Sequence, residues 1–312
     1  MKPEILILMP HIEPWHDELA EEFTIHFVHP GENREPVLKA AGGRIRAVVT
    51  NGTTGVDGAA IAALQNLEII ASFSAGYEGV DLGAARARNI AVSHGPGVNA
   101  ASAADHAMGL LLAVQRGIVT RDKGSRDGAW REIQGLSPTI SGKTLGIIGL
   151  GAVGTEIAKR AAGFDMTIAY HNRRPREGSK FDYAESPASL AEQSDYLIAC
   201  CPGGDATRHI IDSDVLRALG PDGYVVNIAR GSVVDTDALI AALKAGVIAG
   251  AALDVFETEP DIPKALIGMN NVVLSPHVAG FTPEAFRGGF ELVRDNLRAH
   301  FAGSPLPTPV PR

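Results

Sequence analysis

Three residues late in the chain have the types and positions that acid–base chemistry beside a bound anion requires: Arg230, Glu259 and His277. Arg230 follows the apolar run Gly223 to Ile228, which sets a guanidinium at a buried strand end, where it needs an anion. Glu259 lies in Phe256-Glu-Thr-Glu259-Pro260-Asp261, a turn that can present a carboxylate. His277 follows Pro276, whose ring restrains the backbone that aims the imidazole. A carboxylate beside an imidazole favours the imidazolium and makes it a better acid near neutral pH. If the strands before these residues are parallel neighbours, all three meet in the crevice beyond the strands' carboxyl ends. The plainer alternatives are a structural ion pair for Arg230, a surface turn for Glu259 and a hydrogen-bonded structural histidine at 277. His94, His106, His171 and His209 have no matching partner in the sequence and default to structural roles.

The stretch that must position this chemistry is Thr144 to Arg160. A short apolar strand, Leu145 to Ile148, runs into a glycine turn and then a helix. The glycines fall as G-x-G-x-x-G at Gly149, Gly151 and Gly154. The first allows the turn, the second lets a pyrophosphate approach the backbone, and the third lets helix pack on strand. The helix then aims its free N–H groups and positive dipole end at that pyrophosphate. In a chain with 35 glycines the spacing alone is weak; the readable strand and helix around it indicate a dinucleotide site. The next strand, Met166 to Tyr170, ends at His171-Asn172-Arg173-Arg174-Pro175-Arg176, without the acid that such sites keep for a ribose 2′-OH. Adjacent guanidiniums suit a 2′-phosphate, so the expected cofactor is NADP(H). An ordinary solvated turn explains the arginines but not the missing acid.

At 312 residues the chain is long for one domain, and two are expected. A hydrophobic content of 45% with 5% aromatic residues indicates an aliphatic α/β core. The net charge of −8 argues against a nucleic-acid partner. The two cysteines, Cys200 and Cys201, are adjacent and supply no disulfide framework or zinc spacing, which fits a reducing cytoplasm. The apolar run Ile5 to Met9 is too short for a signal peptide, and no segment is long enough to span a membrane. None of the five tyrosines has a Lys at the Tyr-x-x-x-Lys offset of short-chain dehydrogenases, and Gly142-Lys143-Thr144 lacks the earlier glycine of a P-loop.

Short apolar strands are expected at Ile5 to Met9, Thr24 to Val28, Ile45 to Val49, Ile69 to Ser72 and Ile90 to Val92. Helices are expected at Trp15 to Phe23 and Asp57 to Gln65, with a loop around Pro30-Gly31. The loops Asn51 to Gly55 and Ser74 to Asp81 follow strand ends and are candidate substrate walls or simply glycine turns. A buried helix, Asn99 to Gln115, passes to the second domain, with Ser102 to His106 placed to face the space between domains, and Arg121 to Pro138 reads as a polar connection. Further strands are expected at Tyr196 to Cys200, Gly223 to Ile228, Gly250 to Asp254 and Val272 to Leu274. Helices are expected at Ser213 to Leu219, Asp235 to Ala245 and Pro283 to Phe301, before a proline-rich tail ordered by docking. The alternation predicts α/β architecture: two Rossmann-like domains with parallel sheets, cofactor and substrate in the cleft between them.

The glycine motif, Asn227-Ile-Ala-Arg230-Gly231, Ala252-Leu-Asp254-Val-Phe-Glu257-Thr-Glu259-Pro260 and Ser275-Pro-His277 together resemble the D-isomer-specific 2-hydroxyacid dehydrogenases, more narrowly their glyoxylate/hydroxypyruvate reductases. The resemblance implies a discontinuous substrate-binding domain, residues 1–98 plus 283–312, around an NADP-binding domain at 99–282. It implies that Arg230 grips a 2-oxo acid, that Glu259 polarises His277, and that His277 exchanges the proton. Cofactor contacts are then expected from Gly149, Leu150, Gly151, Ala152, Val153, Gly154, Asn172, Arg173, Arg174, Cys201, Pro202, Thr207, Ile228, Ala229, Arg230, Asp254, His277 and Gly280, with Asp254 near the nicotinamide amide. Substrate contacts are expected from Asn51, Gly52, Ala75, Gly76, Arg230 and His277, with backbone N–H groups around Gly76 on the carboxylate. Asn172 departs from the Asp of many relatives and shifts the expectation from NAD to NADP.

The expected reaction is NADPH-dependent reduction of glyoxylate or hydroxypyruvate to glycolate or D-glycerate, with hydride transfer and His277 as proton donor. The expected protein is a cytoplasmic homodimer with a small 2-oxo or 2-hydroxy acid as its partner. One rival is reduction of a larger 2-oxo acid such as hydroxyphenylpyruvate. The other is a cofactor-sensing corepressor built on the same fold, against which the absence of long interaction tails counts. Turnover with NADPH and glyoxylate separates the corepressor from the enzymes.

Overall fold

Short runs of two to six residues, most of them apolar and too short for stable helices, form the strands of two separate parallel sheets. The computed structural model describes residues 2–29, 31–131 and 136–311. Pro30 of the expected loop, residues 132–135 of the expected connection and Arg312 of the tail therefore lie outside the described residues. The chain divides into two units, Met1–Asn99 with Phe281–Arg312, and Ala100–Gly280.

The first unit contains β1 (Glu4–Ile7), α1 (His16–Ala20), β2 (Thr24–Phe27), α2 (Glu35–Ala41), β3 (Ile45–Thr50), α3 (Gly58–Ala63), β4 (Ile69–Ser72), α4 (Leu82–Ala87) and β5 (Ala91–Ser93). Its sheet has the order β2-β1-β3-β4-β5, every pair parallel. Because side chains alternate along a strand, Ile5, Ile7, Val49 and Ala71 meet Phe290, Val293 and Leu297 of the C-terminal helix, Pro283–Phe301. Leu6, Val48 and Ile70 meet Ile61 and Ala85 on the other face. Asp57 and Asp81 cap α3 and α4 by accepting from the N–H groups of Ala60 and Ala84.

The helix expected at Trp15 to Phe23 is shorter, and its first residue belongs to a 3₁₀ turn, Pro10–Trp15, that contains Pro14. The tail docks on β5: Val310 N–H donates to Val92 O at 2.8 Å, and His94 N–H to Thr308 O at 3.1 Å.

The second unit contains α5 (Ala100–Gln115), α6 (Ile118–Arg126), β6 (Thr144–Ile148), α7 (Ala152–Ala162), β7 (Thr167–His171), β8 (Asp182–Tyr183), α8 (Pro187–Glu192), β9 (Tyr196–Ala199), α9 (Ser213–Leu219), β10 (Tyr224–Asn227), α10 (Thr236–Ala245), β11 (Gly250–Leu253), α11 (Lys264–Ile267) and β12 (Val272–Leu274). The parallel sheet has the order β12-β11-β10-β9-β6-β7-β8. Strand order reverses between β6 and β9, the point where open α/β sheets leave a ligand crevice. Leu197, Val225 and Ala251 pack under α8, α9 and α10, while Tyr196, Ile198 and Val226 pack against α5 and α7. The start of the expected polar connection is helical, as residues 121–126 belong to α6, which buries no residue, so no apolar periodicity marks it.

Register sets the site. Ile148 pairs with His171 and Ala199, Asn227 with Ala199 and Leu253, and Leu253 with Leu274. The segments that follow these residues therefore leave the sheet at one edge. Among the described residues no helix is long and apolar enough to cross a membrane.

Candidate active site

The glycine turn leaves β6 at Gly149, whose φ of +105° suits glycine. A Cβ there would lie 2.7 Å from Cys201 Cα. At Gly154 a Cβ would strike the Gly149 carbonyl oxygen, so this glycine is what lets α7 start so close to β6. Gly151 differs: an added Cβ meets nothing within 4 Å. No side chain caps the N-terminus of α7 at Gly151, and the first N–H groups of a helix have no intrahelical acceptor. Open space beside Gly151 and an uncapped, exposed N-terminus at Ala152 fit a dinucleotide pyrophosphate.

Asn172 and the arginines divide their work. Asn172 Oδ1 accepts from Leu150 N–H at 2.7 Å, which ties the end of β7 to the turn. Arg176 donates to Leu150 O at 3.2 Å and to Thr155 Oγ1 at 2.5 Å, bracing the turn from the other side. Arg173 and Arg174 are exposed, and no ion pair engages them among the described residues. On the β9 side, Cys201 is buried against Gly149, and Thr207 Oγ1 donates to Pro202 O at 2.7 Å, closing the loop between them.

Arg230, Glu259 and His277 all follow the carboxyl edge of this sheet, after β10, β11 and β12. The Asn227 amide shapes the first turn: its Oδ1 accepts from Ala229 N–H, and its Nδ2 donates to Arg230 O, both at 3.0 Å. Ile228 N–H continues the ladder to Ala199 O. Gly231 lies so close to the Phe256–Glu257 backbone that a Cβ would overlap it, which locks the Arg230 turn to the loop that carries Glu259. Glu259 Oε1 accepts from Phe256 N–H at 2.9 Å, and its Oε2 lies 2.8 Å from His277 Nδ1. A carboxylate only accepts, so Nδ1 carries the proton in this bond and Nε2 is left for the reacting group. His277 is 40% exposed, at the surface rather than in the core.

Asp254 is turned inward, with 0% of its surface exposed. Its Oδ1 accepts from the Ser275 hydroxyl and from Val278 N–H at 2.9 Å, and its Oδ2 from Ala279 N–H at 2.9 Å. Its backbone oxygen takes the His277 N–H at 2.7 Å. The side chain expected near a nicotinamide amide thus anchors the loop that leads to Gly280. His106, set aside in the sequence, lies 2.9 Å from Ser275 Oγ and 3.3 Å from Asp254 Oδ1 through Nε2. The other three histidines also have partners: His94 at Ala75 O, His171 at Ala184 O and His209 at Glu257. Partners 13 to 48 residues away leave no short-range spacing to read; only folding shows them.

In the first unit, the loops expected as substrate walls interlock. Asn51 Oδ1 accepts from Thr53 and Thr54 N–H, and Gly52 N–H donates to Ser74 Oγ. The Asn51 Oδ1 acceptor and the Gly52 N–H donor are thus both used within the loops. Ser72 and Ser74 hydroxyls both donate to Gly76 O, and His94 Nδ1 meets Ala75 O, which pins both carbonyls. Among the described residues no backbone partner takes the N–H of Ala75 or Gly76.

Residues 108–279 match the family profile described as D-isomer specific 2-hydroxyacid dehydrogenase, NAD binding domain. A glyoxylate/hydroxypyruvate reductase A from Arabidopsis thaliana is 42% identical over 308 residues, 98% of each chain. The chain belongs to the D-isomer-specific 2-hydroxyacid dehydrogenase family. A hydroxyphenylpyruvate reductase from Plectranthus scutellarioides is also 42% identical, over 310 residues and 98% of each chain. A solved structure of an NADPH-dependent glyoxylate/hydroxypyruvate reductase from Sinorhizobium meliloti, in complex with NADP and malonate, superposes with a TM-score of 0.90 at 38% identity, covering 99% of this chain and 97% of that one. This member of the family is an oxidoreductase with an NAD(P)-binding domain, a 2-oxo acid reductase of the glyoxylate/hydroxypyruvate reductase type.

Proposed function

We propose that the enzyme reduces small 2-oxo acids, glyoxylate or hydroxypyruvate, with NADPH. The observation that carries this is the pair formed by Glu259 Oε2 and His277 Nδ1 at 2.8 Å, which leaves Nε2 for a substrate oxygen. When bound, the reduced nicotinamide supplies the hydrogen and electron pair delivered to the carbonyl carbon. His277 Nε2 gives a proton to the carbonyl oxygen, and Glu259 holds the imidazole and offsets its charge. Arg230 takes the substrate carboxylate with a charge-assisted bond, and its field also stabilises charge that develops on the oxygen. The N–H groups of Ala75 and Gly76 serve the carboxylate as well. We assign the unit of residues 1–99 and 281–312 to substrate and that of residues 100–280 to the dinucleotide.

NADPH is preferred over NADH in this reading because residues 171–176 after β7 hold no acid, and Arg173 and Arg174 stand exposed beside Asn172. The S. meliloti relative binds NADP, in support. The protein acts as a homodimer in the cytoplasm, where its two free cysteines stay reduced. A second reading, reduction of a larger acid such as hydroxyphenylpyruvate, is favoured by the P. scutellarioides relative.

Steady-state kinetics on glyoxylate, hydroxypyruvate and hydroxyphenylpyruvate, each with NADPH and with NADH, tests the proposal. The expected order puts both small acids above the aromatic one and NADPH above NADH. Replacing Arg173 and Arg174 by Ala is expected to lower kcat/KM for NADPH by about tenfold or more, and that for NADH far less. Higher kcat/KM for hydroxyphenylpyruvate establishes the second reading, and equal losses with both cofactors remove the arginines from recognition.

A further inference from the structure

We propose that His106 is a positioning residue for proton transfer: through Ser275 and Asp254 it holds the loop that carries His277. This rests on the reading of His277 as the proton donor.

A carboxyl group buried as completely as that of Asp254 needs hydrogen-bond partners for its oxygens. Here the bonds go to one short loop. Asp254 receives the Ser275 hydroxyl and the N–H groups of His277, Val278 and Ala279, so a single residue grips both sides of the catalytic imidazole. The grip has something to resist. His277 has φ +55°, a left-handed conformation that a side chain other than glycine holds only when its surroundings impose it.

His106 completes the grip from α5. The Ser275 hydroxyl donates its hydrogen bond to Asp254, so Ser275 Oγ accepts from His106, and the proton sits on His106 Nε2. The same N–H group lies 3.3 Å from Asp254 Oδ1 and places a donor beside the buried carboxyl group. His106 is on a sixteen-residue helix whose Ala103, Ala104, Ala107 and Met108 are buried around it, so the donor comes from a rigid support. Its ring is 27% exposed, which does not match a simple core filler. Without it, Ser275 loses the donor that fixes its rotamer, the hold on Asp254 weakens, and the backbone at 277 relaxes. His277 Nε2 then shifts relative to the substrate oxygen, and displacements of this kind cost about tenfold to a hundredfold in rate.

The test uses His106→Leu, His106→Gln and Ser275→Ala in the full-length enzyme. His106→Leu is expected to lower kcat at least about tenfold, with KM for the oxo acid changed less and NADPH affinity within about twofold. His106→Gln, whose amide restores an N–H donor, is expected to recover most of that loss. Combining His106→Leu with Ser275→Ala is expected to cost no more than the worse single change, because both act through one contact. In the cofactor-free protein, the His277 ring resonance in a histidine-labelled NMR spectrum is expected to broaden or split in His106→Leu and to stay single in His106→Gln.

Wild-type kcat in His106→Leu, or equal impairment of the Leu and Gln variants with a matching drop in Tm, overturns the proposal. His277→Ala serves as the control. If it retains turnover, the reading of His277 fails, and the NMR comparison still decides whether His106 orders the loop. If it is inactive while His106→Leu matches the wild type, only the present inference fails.

Discussion

At the scale of the residue, His277 combines two constraints that oppose free motion. Its backbone stands at φ +55°, and its Nδ1 is tied to Glu259 Oε2 at 2.8 Å. The second constraint decides the chemistry, since it fixes which nitrogen is free. Replacing His277 by Ala is expected to lower kcat by about 10²–10⁴-fold, the usual worth of a positioned acid. NADPH binding, followed by cofactor fluorescence, should persist in that variant; undiminished turnover would take His277 out of the mechanism. The neighbouring thiols supply no rival chemistry. Burial pushes Cys201 up to about 11 and Cys200 higher, so neither is a thiolate nucleophile near neutral pH.

At the scale of the element, the β6–turn–α7 unit depends on glycines whose hydrogen side faces other backbone. Gly149→Ala sets a methyl 2.7 Å from Cys201 Cα in a backbone region alanine avoids. It is expected to destabilise the fold by about 1–3 kcal/mol and to weaken NADPH binding, read by urea unfolding and fluorescence titration. Wild-type stability and affinity together would show that the turn tolerates a side chain. This unit was legible because strand, glycine spacing and amphipathic helix are consecutive. Residues of α2, α4, α6 and α8 were not, for a shared physical reason. Three of them have six or seven residues, and α6, with nine, has no buried face. Helices this short, or without a buried face, carry too few apolar positions for a period to show.

At the scale of the whole molecule, charge pairs link distant parts of the first unit. Glu68 binds Arg46 at 2.5 and 2.9 Å and His300 at 3.2 Å, and Glu22 binds Arg298. Hydrogen bonds from Arg46 and Arg298 hold Glu68 and Glu22, respectively, below the usual carboxylate value of 4.5. A depressed folded value means that this stability is present above pH 4.5 and is lost as pH falls through the folded values. Tm is thus expected to hold from neutral pH to about 5 and to fall below it, and Glu68→Gln to flatten part of that fall. An unchanged acid limb in Glu68→Gln would assign the loss to other groups.

Assembly belongs to the same scale. Ile118, Val119, Trp130 and Leu136 of the second unit are 51%, 55%, 72% and 104% exposed, apolar side chains that the proposed dimer would cover. Light scattering is expected to give twice 32.7 kDa, and Trp130→Lys to shift the protein toward the monomer. A monomeric wild type would refute the dimer.

The sequence by itself determined the α/β class, the place of the β6–turn–α7 unit and the identity of the family. Each of these rests on local patterns, in which apolar runs, glycine spacing and polar residues at strand ends are contiguous in the chain. Only the tertiary structure decided which partner each polar group takes. It gave Asn51 and Gly52 to the loop's own hydrogen bonds and separated Arg176, which braces the turn, from the exposed Arg173 and Arg174. It also turned Asp254 inward and brought His106 to it across 148 residues, joined by Ser275 at 169 residues' separation. Hydrogen bonds act over about 3 Å and carry no record of sequence distance, so such pairings exist only once parallel register has aligned the strand ends.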